Sequence, residues 1–184
     1  MFGAEGHTFF VTTTVVEFAR VFSCGPQYYD ILVDSLSYLL SEHHALLRSY
    51  VFMPSHIHLI LEMPEGENIS DFMRDFKKFT STKVRQQLQR DQRNDFITVL
   101  VRNAKNKKAQ VFKLWMDRFD DEVIDSDETM AGVVEYIHSN PVKAGLVARA
   151  EDWTHSSARD YLGLGPGPLP VAVDWFSAVN RSEV

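Results

Sequence analysis

The chain has 184 residues, 45% of them hydrophobic and 24% charged, with one cysteine and a net charge of −6. That length suits one domain with a sizeable core, Cys24 alone excludes an internal disulfide framework and a multi-cysteine zinc site, and no apolar run approaches the roughly 20 residues of a membrane span. A soluble cytoplasmic protein is the expectation, and the acidic total counts against a nucleic-acid partner only if the charge is evenly spread.

From the N-terminus, His7–Val16 is rich in β-branched and aromatic residues and predicts a strand. Gln27–Glu42 carries Ile31, Leu32, Ser35, Leu36 and Leu39 at helical spacing. Leu46–Met53 and His56–Met63 predict two strands joined at Pro54-Ser55, so an antiparallel hairpin. Ser70 is placed to cap a helix from Asp71 to Arg90, with Phe72, Phe76, Phe79 and Val84 on one side. Residues 91–110 are polar and basic around a short apolar piece at Phe96–Val101 and predict an insertion or long loop. Val111–Ile124 predicts a further strand. Asp125 and Glu128 form a capping-box pattern opening a helix that Pro141 should stop after Asn140.

The order strand, helix, strand, strand, helix, strand, helix predicts an α+β fold: a ferredoxin-like antiparallel sheet packed with helices in a single domain. Residues 1–162 form that domain, and residues 163–184, opening on the Gly/Pro-rich Gly163–Pro170, form a tail.

Charge is far from evenly spread. Arg74 to Arg118 holds 13 of the 19 basic residues against four acidic ones, a local charge of +9. Such a stretch is either a solvated helix and loop or a surface for phosphates.

Side chains alternate along a strand, so His56, His58 and Ile60 share one face of the third strand. Two imidazoles so placed can reach one divalent cation, or are simply two polar residues on a half-exposed face. In the helix before Pro141, Met130, Val133, Val134 and Ile137 form an apolar stripe. At helical phase Tyr136 lies about 110° and Asn140 about 70° from its centre on one flank, with His138 on the other. Tyr136 is then either a boundary tyrosine or a group presenting its hydroxyl to the sheet. Asn140 is either a terminator before proline or part of a site. No other nucleophile system stands out: Ser156-Ser157 lacks a G-x-S-x-G setting, and no phosphate-binding glycine loop is present.

FMPSHIHLILEMP, then VEYIHSNPVKAGLV, then DWTHSSARDY closely resemble the single-tyrosine HUH transposases, and most of all their REP-associated tyrosine transposase branch. His56-Ile57-His58 matches the HUH motif, Tyr136 opens the block that includes Asn140, Pro141, Val142, Lys143, Gly145, Leu146 and Val147, and Trp115-x-x-Arg118-Phe119 is similar to the family's W-x-x-R-F strand. The resemblance implies a Mg²⁺ or Mn²⁺ ion on His56 and His58, with Asn140 as third ligand and Tyr136 as nucleophile, forming a 5′-phosphotyrosine link that leaves a 3′-OH able to rejoin strands. It implies single-stranded or hairpin DNA as partner. Lys77, Lys78, Lys83, Arg85 and Arg118 would be its phosphate contacts, and Trp115 its stacking platform or a core residue. Members include monomers and homodimers. Two other readings stay open: a hairpin-binding protein that no longer cuts, and a phosphoesterase using the histidines without a covalent step.

Overall fold

The computed structural model describes residues 7–104 and 111–175; Lys105, Lys107 and Lys108 of the basic stretch, and the tail beyond Trp175, lie outside the described residues. Four strands form the sheet: β1 (His7–Thr14), β2 (Leu46–Phe52), β3 (His56–Met63) and β4 (Asp120–Ile124). Their spatial order is β2-β3-β1-β4 and every pairing is antiparallel, the ferredoxin-like arrangement. The helices are α1 (Pro26–Glu42), α2 (Ile69–Arg90), α3 (Asn94–Arg102), α4 (Asp127–Lys143) and the short α5 (Ala158–Tyr161). No helix among the described residues is long and apolar enough to cross a membrane.

Strand alternation divides the interior in two. Ile57, Leu59, Leu61 and Met63 of β3, with Val11 of β1, join Leu32 and Leu36 of α1 and Phe72 and Phe76 of α2 in the larger core. Each such side chain contributes roughly 1.5–3 kcal/mol by burial. On the other face, Ile60 of β3 and Val51 of β2 pack beneath Met130, Val134 and Ile137 of α4. The histidines, in phase with Ile60, therefore lie under α4, and α2 covers the opposite side of the sheet.

Several local expectations shift. Asn68, not Ser70, caps α2, its side chain accepting from Ser70 N–H at 2.7 Å. Ser126, one residue beyond Asp125, caps α4 by accepting from Thr129 N–H. Residues 94–102, expected to be loop, form α3 because Phe96, Ile97 and Leu100 recur at helical spacing and pack on the larger core. Pro141 does not stop α4. It lies inside the helix, buried, and the chain reverses only at Gly145, whose φ of 67° suits glycine. There Gly145 N–H donates to Val142 O and Leu146 N–H to Pro141 O, satisfying the last carbonyls.

The strand expected over Val111–Ile124 is broken. Thr12 pairs with Asp120 and Val15 with Trp115, so one strand advances three residues where the other advances five. The excess bulges at Asp117–Phe119, and Lys77 Nζ donates to the carbonyls of Met116 (2.9 Å) and Arg118 (3.1 Å) there.

Both sheet edges are specialised. Outside β2, Phe52 N–H donates to His155 O, Ser157 N–H to Tyr50 O and Ala172 N–H to Leu47 O. Arg48, at a register shift in β2, pairs with Glu62 and Asp174, and Trp175 Nε1–H donates to Tyr161 Oη. Residues 163–175 contain almost no regular structure, yet Leu169 and Trp175 are buried. Gly167 is needed in this wrap, since a Cβ there would meet Tyr50 Oη at 2.9 Å. The outer edge of β4 carries Asp120, Asp121 and Glu122.

Candidate active site

β3 brings His56 and His58 together with ring centroids 5.0 Å apart. His58 is buried, its ring stacked on Phe10 of β1. Thr12, its register partner, sets Oγ1 2.7 Å from Nδ1, while Nε2 is buried with no protein partner. If Nδ1 carries the proton and donates to Thr12, the free lone pair is on Nε2. Burial pushes the His58 pKa down to about 3, with the His56 charge as a lesser cause; burial also lowers that of His56, which is half-buried with Nδ1 3.3 Å from Ser55 Oγ. Both rings are neutral at neutral pH, the state in which imidazole can act as a ligand.

Tyr136 meets this pair from α4. Its ring lies 5.3 Å from His58 and 6.0 Å from Phe10, edge-on to both, and the residue is 43% exposed. Lys143 Nζ sits 5.6 Å from the Tyr136 ring centroid, placing a cation over the phenol. Asn140, one turn on, donates from Nδ2 to Tyr136 O at 2.8 Å, so its Oδ1 is the side-chain atom left for other contacts. Among the described residues no third His, Cys, Asp or Glu joins the two histidines in a group able to hold a metal.

His138 is on the opposite flank, as helical phase requires. Its Nε2 lies 2.9 Å from Ser157 Oγ and its ring 5.0 Å from Tyr161. Burial drops its pKa to about 4. The unfolded chain takes up that proton near pH 6.5 while the folded chain resists until about 4, so stability present at pH 7 is lost as pH falls through this window. Urea unfolding at pH 5 should therefore show a loss of about 1–2 kcal/mol from this residue, relieved in His138→Gln. An equal pH slope in wild type and variant would exclude it.

The expected DNA-contact residues lie on α2 and in or beside the bulge that follows Trp115, where Lys77, Lys78 and Trp115 line one cleft. Lys78, Lys83 and Arg85 are exposed on α2, across the sheet from Tyr136, and Arg118 is exposed in the bulge. Lys77 is engaged by the bulge carbonyls, and burial pulls its pKa down to about 8. The stacking role expected for Trp115 is corrected. The indole is 4% exposed, lies between Phe22 and Phe76, and donates from Nε1 to Thr80 Oγ1 at 2.8 Å, so no face is free for a base. Sequence reasoning missed Phe10, Thr12 and Lys143 as neighbours of the site. The β1 alternation puts Phe10 and Thr12 on one face, but only the register sets them beside His58.

Residues 25–140 match the family model described as "Transposase IS200 like", over more than half of the chain and from before the histidines through Asn140. The chain belongs to the IS200-like transposase family. It is 30% identical over 105 residues to a Haemophilus influenzae protein provisionally named a REP-associated tyrosine transposase, 57% of this chain and 54% of that one. It thus spans about half the length of that relative. It is 28% identical over 139 residues to the REP-associated tyrosine transposase of Escherichia coli K12, covering 73% and 68% respectively. A solved REP-associated tyrosine transposase bound to a REP hairpin shares the fold, with a TM-score of 0.65 at 23% identity, covering 92% of this chain and 88% of that one.

Proposed function

We propose that this IS200-like transposase cleaves and rejoins single-stranded DNA at hairpins through Tyr136. The observation that carries the reading is the juxtaposition of the Tyr136 ring, 5.3 Å from His58, with a second histidine 5.0 Å further on. In the step, the Tyr136 oxygen attacks the scissile phosphorus, the phenolic proton departs, and the P–O3′ bond breaks. The 3′-oxygen takes up a proton and leaves as a hydroxyl. The 5′-phosphotyrosine conserves the bond energy, and return attack by a 3′-OH reseals a strand and restores the phenol. A phenol is a weak nucleophile until deprotonated, so its proton must be removed as the bond forms. Hairpin DNA as substrate is taken from the solved relative with the same fold, which is bound to one.

A divalent cation, Mg²⁺ or Mn²⁺, fits the residues present: His58 Nε2 is a buried ring nitrogen without a protein partner. His56 and His58 would hold it, with Asn140 Oδ1 as third ligand, and it would supply Lewis-acid polarisation of the phosphate. Thr12 positions rather than binds, by keeping the His58 proton on Nδ1. Thr12→Val should weaken Mn²⁺ binding about tenfold by calorimetry without unfolding the protein. Unchanged affinity would remove Thr12 from the site.

The deciding experiment incubates the protein with end-labelled hairpin DNA and Mg²⁺ or Mn²⁺ and resolves covalent adducts on a denaturing gel. A labelled protein band is expected. Tight binding of several hairpins without an adduct would instead leave a DNA-binding protein that does not cut.

A further inference from the structure

Beside His56 lies a cleft of about 200 Å³ whose other lining residues take no part in the proposed strand cleavage. Met53, Pro54 and His56 of the β2–β3 hairpin line it, together with Leu146 just after α4 and Phe18 and Arg20 from the turn after β1. Among the described residues no carboxylate lines it.

Phe18 is 66% exposed, the most exposed large hydrophobic side chain among the described residues. The backbone beneath it is unusual. Glu17 (φ 55°) and Phe18 (φ 53°) are consecutive non-glycine residues in the left-handed region, which side-chain-bearing residues rarely enter. The turn is held there from several directions. Arg102 of α3 pairs with the Glu17 carboxylate, and Asn103 Nδ2 donates to Glu17 Oε1 at 2.7 Å. Phe18 N–H donates to Val15 O at 3.0 Å, Ala19 N–H to Val16 O at 3.1 Å and Phe22 N–H to Pro54 O at 3.1 Å. Strain over-determined by its surroundings clusters at ligand sites. Here it fixes an aromatic ring at the mouth of a cleft with exposed Arg20 beside it.

We propose that this cleft seats one unpaired nucleobase of the DNA strand flanking the scissile phosphate, with Phe18 as its stacking face and Arg20 on the adjoining phosphate. The inference rests on single-stranded DNA being the substrate, as proposed above. Three features select that occupant over an apolar side chain of a protein partner. The cleft shares His56 with the catalytic pair, so a strand engaged at Tyr136 has its neighbouring nucleotides within reach. A flat aromatic face beside one cation, with no carboxylate, complements a base and its phosphate. Ser55 and His56, whose Oγ and Nδ1 lie 3.3 Å apart, give the lining a polar part that suits the edge of a base better than an aliphatic side chain. Stacking on Phe18 tolerates any base, so the cleft supplies affinity and strand register more than sequence choice.

The test is made in a Tyr136→Phe background, where no covalent step intervenes. Binding is followed by fluorescence anisotropy with a labelled hairpin oligonucleotide bearing an unpaired flank, and with the same hairpin lacking the flank. Phe18→Ala should lower affinity for the flanked hairpin about tenfold and leave the flankless one within about twofold, and Phe18→Trp should bind both like the parent. Arg20→Gln should reduce the salt dependence of the flanked hairpin by about one counterion and spare the other. With 2-aminopurine placed along the flank, one position should be quenched on binding and released by Phe18→Ala. Parental affinity of Phe18→Ala for the flanked hairpin, or an equal loss on both hairpins, would overturn the assignment. These readouts do not depend on cleavage. Failure of the native protein to form an adduct would remove the phosphotyrosine reading while leaving a flank-specific Phe18 effect intact, and the converse result would remove the cleft alone.

Discussion

Replacing Tyr136 with phenylalanine is expected to lower the yield of covalent protein–DNA adduct by at least about a thousandfold while hairpin binding stays within about twofold. The substitution deletes one oxygen from a half-exposed ring whose edge contacts with His58 and Phe10 involve carbon, so folding should be undisturbed. In the proposed mechanism the phenol oxygen is the atom that bonds to phosphorus. His138 shares the helix but is turned to the opposite flank, held near Ser157. Single-turnover assays on a denaturing gel would measure the loss. Cleavage that persists in the variant would sink the tyrosine mechanism and favour metal-assisted hydrolysis without a covalent step.

Trp115→Ala is expected to destabilise the fold by about 3–5 kcal/mol, a magnitude set by the loss of a large buried ring and the cavity left behind. The indole fills the space between Phe22 and Phe76 and its N–H reaches Thr80. Trp115→Phe should cost much less, because Thr80 Oγ1 keeps its own donation to Phe76 O at 2.7 Å. Urea denaturation gives the stability. Hairpin binding measured on the folded fraction separates packing from DNA contact: the packing role predicts unchanged affinity in Trp115→Phe. An affinity loss in that variant at full stability would mean that the ring leaves the core to meet DNA.

The sheet was readable because its strands obey a local rule. Alternation in HIHLILEM is enough to put both histidines on one face, and helical phase is enough to put Tyr136 with Asn140 and to set His138 apart. What was hidden depends on non-local geometry. Pro141 reads as a stop, yet α4 runs on past it to Lys143 and Gly145 makes the reversal. The stretch 111–119 has strand-like composition, but strandedness needs a partner in register, and the bulge at Asp117–Phe119 breaks the register with β1 so that Val15–Trp115 is an isolated bridge. Basic residues cluster in sequence on α2, yet the fold sets that helix behind the sheet. Charge density along a chain says nothing of which face it reaches. The clamp on Glu17 from Arg102 and Asn103 spans 85 and 86 residues, beyond any window of local pattern.

The backbone donors outside β2 bear on how copies of this protein can meet. Tyr50, Phe52 and their neighbours already exchange hydrogen bonds with residues 155–157, and Leu47 O with Ala172. A second chain offering a strand there would first have to peel away a segment anchored by Leu169 and Trp175, both buried. At the far side it would run alongside Asp120, Asp121 and Glu122, where a like strand brings like charges face to face. Sheet-to-sheet fusion between copies is thereby disfavoured at both ends.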